Sequence, residues 1–181
     1  MSHTHENPMP ADRSLGLADP SLYLASSLLV AGNVVLPVLV HRIPMGGPAL
    51  MPILFFTLIA GWEFGLPAAL FTATLSPLVS HGVTGMPQAQ ALTGVILSSA
   101  ALGLAAVAIS RRCRGAILLG LALAVLVHQV LVASAGCLVM GVGPALRGHA
   151  LRIPGILLQV LGGWAVLNGL QRLRSREAMS R

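Results

Sequence analysis

The sequence predicts an all-α integral membrane protein, on three observations. Of 181 residues, 55% are hydrophobic and only 9% are charged, whereas soluble domains devote about a quarter of theirs to charge. The apolar residues gather into blocks close to the length that carries a helix across roughly 30 Å of hydrocarbon. All eleven cations are arginines, set between those blocks rather than along one face, as membrane proteins distribute charge. The pI near 11.4 is therefore read as loop charge, and nucleic acid is not an expected partner.

Met1 to Pro20 is polar and lacks the apolar region and small-residue cleavage site of a signal peptide. Residues 1–20 read as a flexible cytoplasmic tail ahead of a membrane domain over residues 21–172. Its first block, Leu22–Val40, is interrupted by Asn33 and Pro37. Ala49–Gly61 is shorter, and Leu66–Val79 follows after Trp62-Glu63-Phe64-Gly65. These two are expected to form a helical hairpin rather than one broken helix. An acid such as Glu63 costs about 2.5–3.5 kcal/mol at mid-bilayer and little in a turn.

Ala89–Ile109 is stopped by Arg111, Arg112 and Arg114; Ala116–Met140 is the longest block; Ile153–Leu170 is the last. A basic cytoplasmic tail, residues 173–181, closes the chain. Six transmembrane helices put both termini on one side. With the termini inside, Arg13, Arg111, Arg112, Arg114, Arg172, Arg174, Arg176 and Arg181 are cytoplasmic, against Arg42, Arg147 and Arg152 outside. The positive-inside rule thus selects an N-in/C-in protein of the inner (plasma) membrane.

Small residues are abundant, and Ser27 and Ala31 form a small-xxx-small pair on the first helix. Such pairs let membrane helices approach closely, within the chain or against a partner. Cys113 and Cys137 belong to no CxxC motif and read as two reduced thiols.

This topology collects His41 and Arg42, then Ser80, His81 and Thr84, then Arg147, His149 and Arg152 in the outer loops. Arginine pairs with carboxylate or phosphate, and neutral imidazole ligates metals or bonds heterocycles. The same residues also suit an ordinary membrane interface, where long polar side chains reach water. Asn33, His128, Gln129, Gln159 and Asn168 lie inside apolar blocks. Buried polar groups there face a cavity or bond a neighbouring helix. The candidate solute-binding set is Asn33, His41, Ser80, His81, Thr84, His128, Arg147 and His149, with His41, His81 and His149 as an alternative metal set. His3 and His5 would make a chelating amino terminus, on the cytoplasmic side of this topology.

No HExxH, GxSxG or phosphate-binding GxxxxGK[ST] motif occurs, and no two carboxylates pair within the membrane. The chain is therefore expected to be non-catalytic and to need no cofactor.

The run from Met51 to Pro87 carries Pro52, Ala60-Gly61 with Gly65, Ser76-Pro77-Leu78, Ser80 and Thr84-Gly85-Met86-Pro87. In these motifs it resembles the substrate-binding S components of energy-coupling factor (ECF) transporters, of the broad vitamin-type group. The likeness extends over Leu22 to Arg111 and continues beyond only as a pattern of spans. Where many relatives have a histidine two residues before the early proline, this chain has Leu50; where they carry glutamate and tyrosine in the fourth helix, it has Ser98 and Leu102. The resemblance implies capture of a vitamin or related micronutrient from the outer side. It also implies docking on a transmembrane T component through Ser27 and Ala31, with two partner ATPases driving uptake. A cobalt or nickel S component, or a membrane scaffold or assembly factor that transports nothing, stands as the alternative.

The orientation is directly testable in a bacterial host. A green fluorescent reporter fused at the C-terminus is expected to fluoresce and alkaline phosphatase at the same point to stay inactive; an active phosphatase would reverse the topology.

Overall fold

A computed structural model describes residues 14–40, 50–113 and 115–179, and among them there is no strand. Helix α1 (Pro20–Val40) begins at Asp19, whose carboxylate accepts bonds from the Ser21 hydroxyl and backbone N–H, while Pro20 fills the first helical position. A proline there forfeits nothing, since that N–H has no partner within the helix. The Ser21 hydroxyl, then its N–H, holds the Asp19 carboxyl below its usual range.

A short 3-10 turn, Pro52–Leu54, leads into α2 (Phe55–Phe64), and α3 (Leu66–Thr84) returns from it. Then come α4 (Ala89–Cys113), α5 (Ile117–Met140) and the short α6 (Val142–Ala150). Last, α7 (Ile153–Leu157), a π-helical turn (Leu158–Gly162) and α8 (Gly163–Met179) run on as one helix. Helices α1, α3, α4, α5 and the α7–α8 run are long and apolar enough to cross a membrane. The chain is a multi-pass membrane protein.

The segment expected over Ala49–Gly61 behaves differently from the other five. Helix α2 has ten residues and rises about 15 Å, half the hydrocarbon layer. Eight of the ten are buried, because α1, α3, α4 and α8 all pack against it. Its Phe55, Leu58, Ile59 and Trp62 form the core with Leu102 and Ala106 of α4, Leu121 and Val125 of α5 and Leu167 of α8. Leucines and valines such as Leu24, Leu28, Leu119 and Leu126 face outward instead. That distribution suits a bilayer, where apolar side chains meet lipid and small ones allow helices to touch. A Cβ on Gly61 would stand 2.6 Å from the Gly103 carbonyl, and one on Gly103 would stand 3.1 Å from the Ala69 Cβ. Two glycines thus let α2, α3 and α4 converge.

A helix that begins inside the bundle exposes N–H groups that no water can reach. Asn33 of α1 answers this. Its side-chain oxygen accepts the Phe56 N–H (3.0 Å), and its amide donates to Thr57 Oγ1 (3.2 Å) and Ser76 Oγ (3.0 Å). Asn33, Thr57 and Ser76 are all fully buried. One side chain therefore joins α1, α2 and α3.

At the other end of α2 the expected hairpin forms, with Gly65 alone as its turn. Gly65 has φ +85°, and a Cβ there would lie 2.8 Å from the Ser14 Cβ. Glu63 sits in the last turn of α2, not in the loop, and is buried. Its carboxylate pairs with Arg174 of α8, so an ion pair rather than exposure to water makes the charge tolerable. The Leu15 N–H bonds the Phe64 carbonyl (3.0 Å). The approach to α1 and the end of α8 therefore meet at one hairpin turn, here the near end of the bundle.

Asn33→Ala would leave the Phe56 N–H unpaired and is expected to lower stability by about 1–3 kcal/mol, read as thermal unfolding in detergent. Gly61→Val should lower it further, through the Gly103 carbonyl. An unchanged melting temperature for Asn33→Ala would show that the clasp contributes little.

Candidate functional site

The far end of the bundle contains the α3–α4 turn and the connection from α5 through α6 to α7. At the α3–α4 turn, Gly85 closes α3 in the left-handed region (φ +73°), with its N–H on the His81 carbonyl (2.9 Å). Thr84 Oγ1 donates to the Ser80 carbonyl (2.7 Å) and accepts the Met86 N–H (3.2 Å). His81 Nδ1 lies 2.7 Å from the Pro87 carbonyl. A carbonyl only accepts, so Nδ1 carries the proton and Nε2 is left as the acceptor nitrogen. The peptide between Met86 and Pro87 is cis. Ser80 is buried, His81 half-buried and Thr84 exposed. This is a helix cap assembled from the Thr-Gly-Met-Pro run.

The second feature is a cleft of about 290 Å³ between the last turns of α5, one face of α6 and Arg152, the residue before α7. Most of its wall is apolar or small, including Val132, Gly136, Ala145 and Gly148, and its polar groups come from His149 and Arg152. The sharp connection between α5 and α6 is made by Gly141 at φ +82°. His149 Nδ1 donates to the Ala145 carbonyl (3.1 Å), which leaves Nε2 as an acceptor; that atom is buried and has no hydrogen-bond partner. Arg147, by contrast, is exposed and is not among the lining residues.

Below the cleft the bundle interior is polar. His128 of α5 is 1% exposed and its Nε2 is 2.9 Å from the Ser98 hydroxyl of α4. His128 Nδ1, the Ser99 hydroxyl and both amide atoms of Gln129 and of Gln159 are buried without hydrogen-bond partners.

The sequence-predicted residues thus separate into groups. Asn33 is engaged in the α1–α2–α3 clasp, and Ser80, His81 and Thr84 build the α3–α4 turn. His128 and His149 belong to the cleft and its floor. His41 lies outside the described residues. No three His, Cys, Asp or Glu side chains gather as a metal cluster among the described residues. Ser27 and Ala31 are both exposed, side by side on the outer face of α1.

The small residues of the cleft wall escaped the sequence reading. Their signal was the spacing Ala145, Gly148, His149, Arg152, a helical face carrying a histidine and an arginine beside small residues.

Comparison with family models, with curated proteins and with solved structures gave no match.

Proposed function

We propose that this chain is the substrate-capture subunit of an ECF-type importer, binding a vitamin or related micronutrient from the outer side of the inner membrane. The observation that carries the proposal is the cleft. It is the size of the smaller ligand sites, it lies at the end of the bundle opposite the hairpin that Leu15 and Arg174 contact, and it offers His149 and Arg152 above a polar floor. The motifs between Met51 and Pro87 support the same reading by resemblance.

In this reading α2, with the chain that precedes it, counts as a sixth crossing, and the near end faces the cytoplasm. Leu15 and Arg174 both contact the hairpin at that end, as an N-in/C-in protein requires. The arginines of the α4–α5 connection and the C-terminus then lie inside. The exposed Ser27 and Ala31 give α1 a shallow face on which a transmembrane T component can seat, and two partner ATPases supply the energy. The chain itself is non-catalytic. Solute enters the cleft under α6, and release inward follows when the partners reorient the bundle.

Purified protein is expected to retain a small molecule identifiable by mass spectrometry. His149→Ala and Arg152→Ala should each weaken its rebinding about tenfold or more, with melting temperatures within a few degrees of wild type. No bound or bindable solute, in protein verified as folded, would sink the proposal.

A further inference from the structure

The polar side chains beneath the cleft allow the chemistry of its ligand to be specified; the argument rests on the capture reading above. Two helix faces run down from the cleft. On α5, His128 is four residues before the cleft residue Val132, and so lies under it on the same face. On the facing run, Arg152, Gly155 and Gln159 follow at spacings of three and four, with Gly155 and Gln159 buried. The two faces oppose each other, since a Cβ on Gly163 would touch Leu121 of α5 (3.4 Å) and α5 packs along the π-helical turn.

That turn is where Gln159 sits. π-helical turns inside α-helices widen the helix and occur frequently at functional sites. Gln159 is 0% exposed, Gln129 is 7% and His128 is 1%. Both glutamine amides have donor and acceptor free, and the remaining nitrogen of His128 is also unpaired. In a bilayer such groups are costly unless something bonds them. At Asn33 protein partners meet this demand; at these two amides, as at the single hydroxyls of Ser26 and Thr72, they do not.

The available groups define their complement. A primary amide offers an N–H and a C=O side by side, and matches another amide-type edge. Among the described residues, the unpaired groups of the polar floor include no acid or arginine, and Arg152 lines the cleft. A charge on the buried part of a ligand would have no counter-charge. We infer that the solute places an uncharged ring or chain bearing a –CO–NH– edge, as in a lactam or cyclic urea, against Gln129, Gln159 and His128. Any acidic group it carries stays at the cleft, beside Arg152.

The test uses the full-length detergent-solubilised protein, first freed of bound solute. Uracil, 2-imidazolidinone and a neutral pterin probe the amide-type edge. Nicotinate probes a carboxylate, thiamine an organic cation, and cobalt and nickel ions a metal. At least one edge-bearing probe should bind, and Gln159→Leu and Gln129→Leu should each weaken it about tenfold or more. Replacing an unpaired amide by a similar apolar side chain should leave the unliganded melting temperature unchanged or raised. Binding of nicotinate, thiamine or metal alone, indifferent to both leucine variants, would overturn this inference and leave the capture reading standing. A lower unliganded melting temperature in both variants, with solute binding intact, would show that the glutamines only bond each other. Failure of folded protein to bind any probe or retain any solute would overturn both.

Discussion

The fold turns on one side chain, Asn33, because helix α2 starts where water cannot follow. Every helix start leaves N–H groups without intrahelical partners, and within a bilayer each must be satisfied by protein. Asn33 accepts from Phe56 and donates to Thr57 and Ser76, so it fixes the depth at which α2 begins and the register of α1 against α3. From that starting depth, ten residues bring the helix to Gly65, and Glu63 arrives opposite Arg174. The hairpin, the ion pair and the approach of Leu15 to the same turn follow from where α2 is anchored. Near this end the interior is an apolar core around Phe55, Leu58, Ile59 and Trp62. Towards the far end it gives way to polar groups and the cleft.

Polar residues inside the bundle consequently have two uses, and hydrogen bonding tells them apart. Asn33, Thr57 and Ser76 use one another and the backbone; nothing is left for a ligand beyond spare lone pairs. Gln129, Gln159, Ser99 and one nitrogen of His128 lie at comparable burial but have no partners. Near-equal burial with opposite satisfaction is hard to explain by packing alone, since an apolar residue of similar volume would serve a purely structural position better. The same contrast holds among arginines. Arg174 neutralises a buried acid, whereas Arg152 borders a cleft in which no acid is among the lining residues.

How much of this was legible in the sequence depends on which physical quantity it encodes. Hydropathy encodes burial in lipid directly, so Leu22–Val40, Ala89–Ile109 and Ala116–Met140 are found within a few residues of α1, α4 and α5, and Ile153–Leu170 starts with the α7–α8 run, which continues past it to Met179. The hairpin was legible too, through Gly65 and the cost of leaving Glu63 in hydrocarbon. Its central burial was not, because an apolar run reads alike whether it meets lipid or other helices. Asn33 and Gln159 look equivalent as single polar residues in apolar blocks. Only the partners that tertiary structure brings, from α2 and α3 to one and not to the other, separate them. The cleft wall was hidden because glycine and alanine signal close approach and open space with the same letters.

The Thr-Gly-Met-Pro run shows how far a motif can carry a functional proposal. Thr84 bonds the preceding turn and the Met86 N–H, Gly85 supplies the positive φ, and Pro87 presents its carbonyl to His81. Each residue is accounted for by the geometry of leaving α3 and entering α4. A motif that encodes a turn can be shared by proteins with quite different ligands, so resemblance in this stretch bears on architecture and leaves the solute open. Solute choice must be written where polar groups are buried and unspent, on α4, α5 and the π-helical turn. There the Ser98 hydroxyl meets His128, and the Gln129 and Gln159 amides stand unpaired and uncharged; such groups complement a neutral hydrogen-bonding edge and offer no counter-charge to a cation.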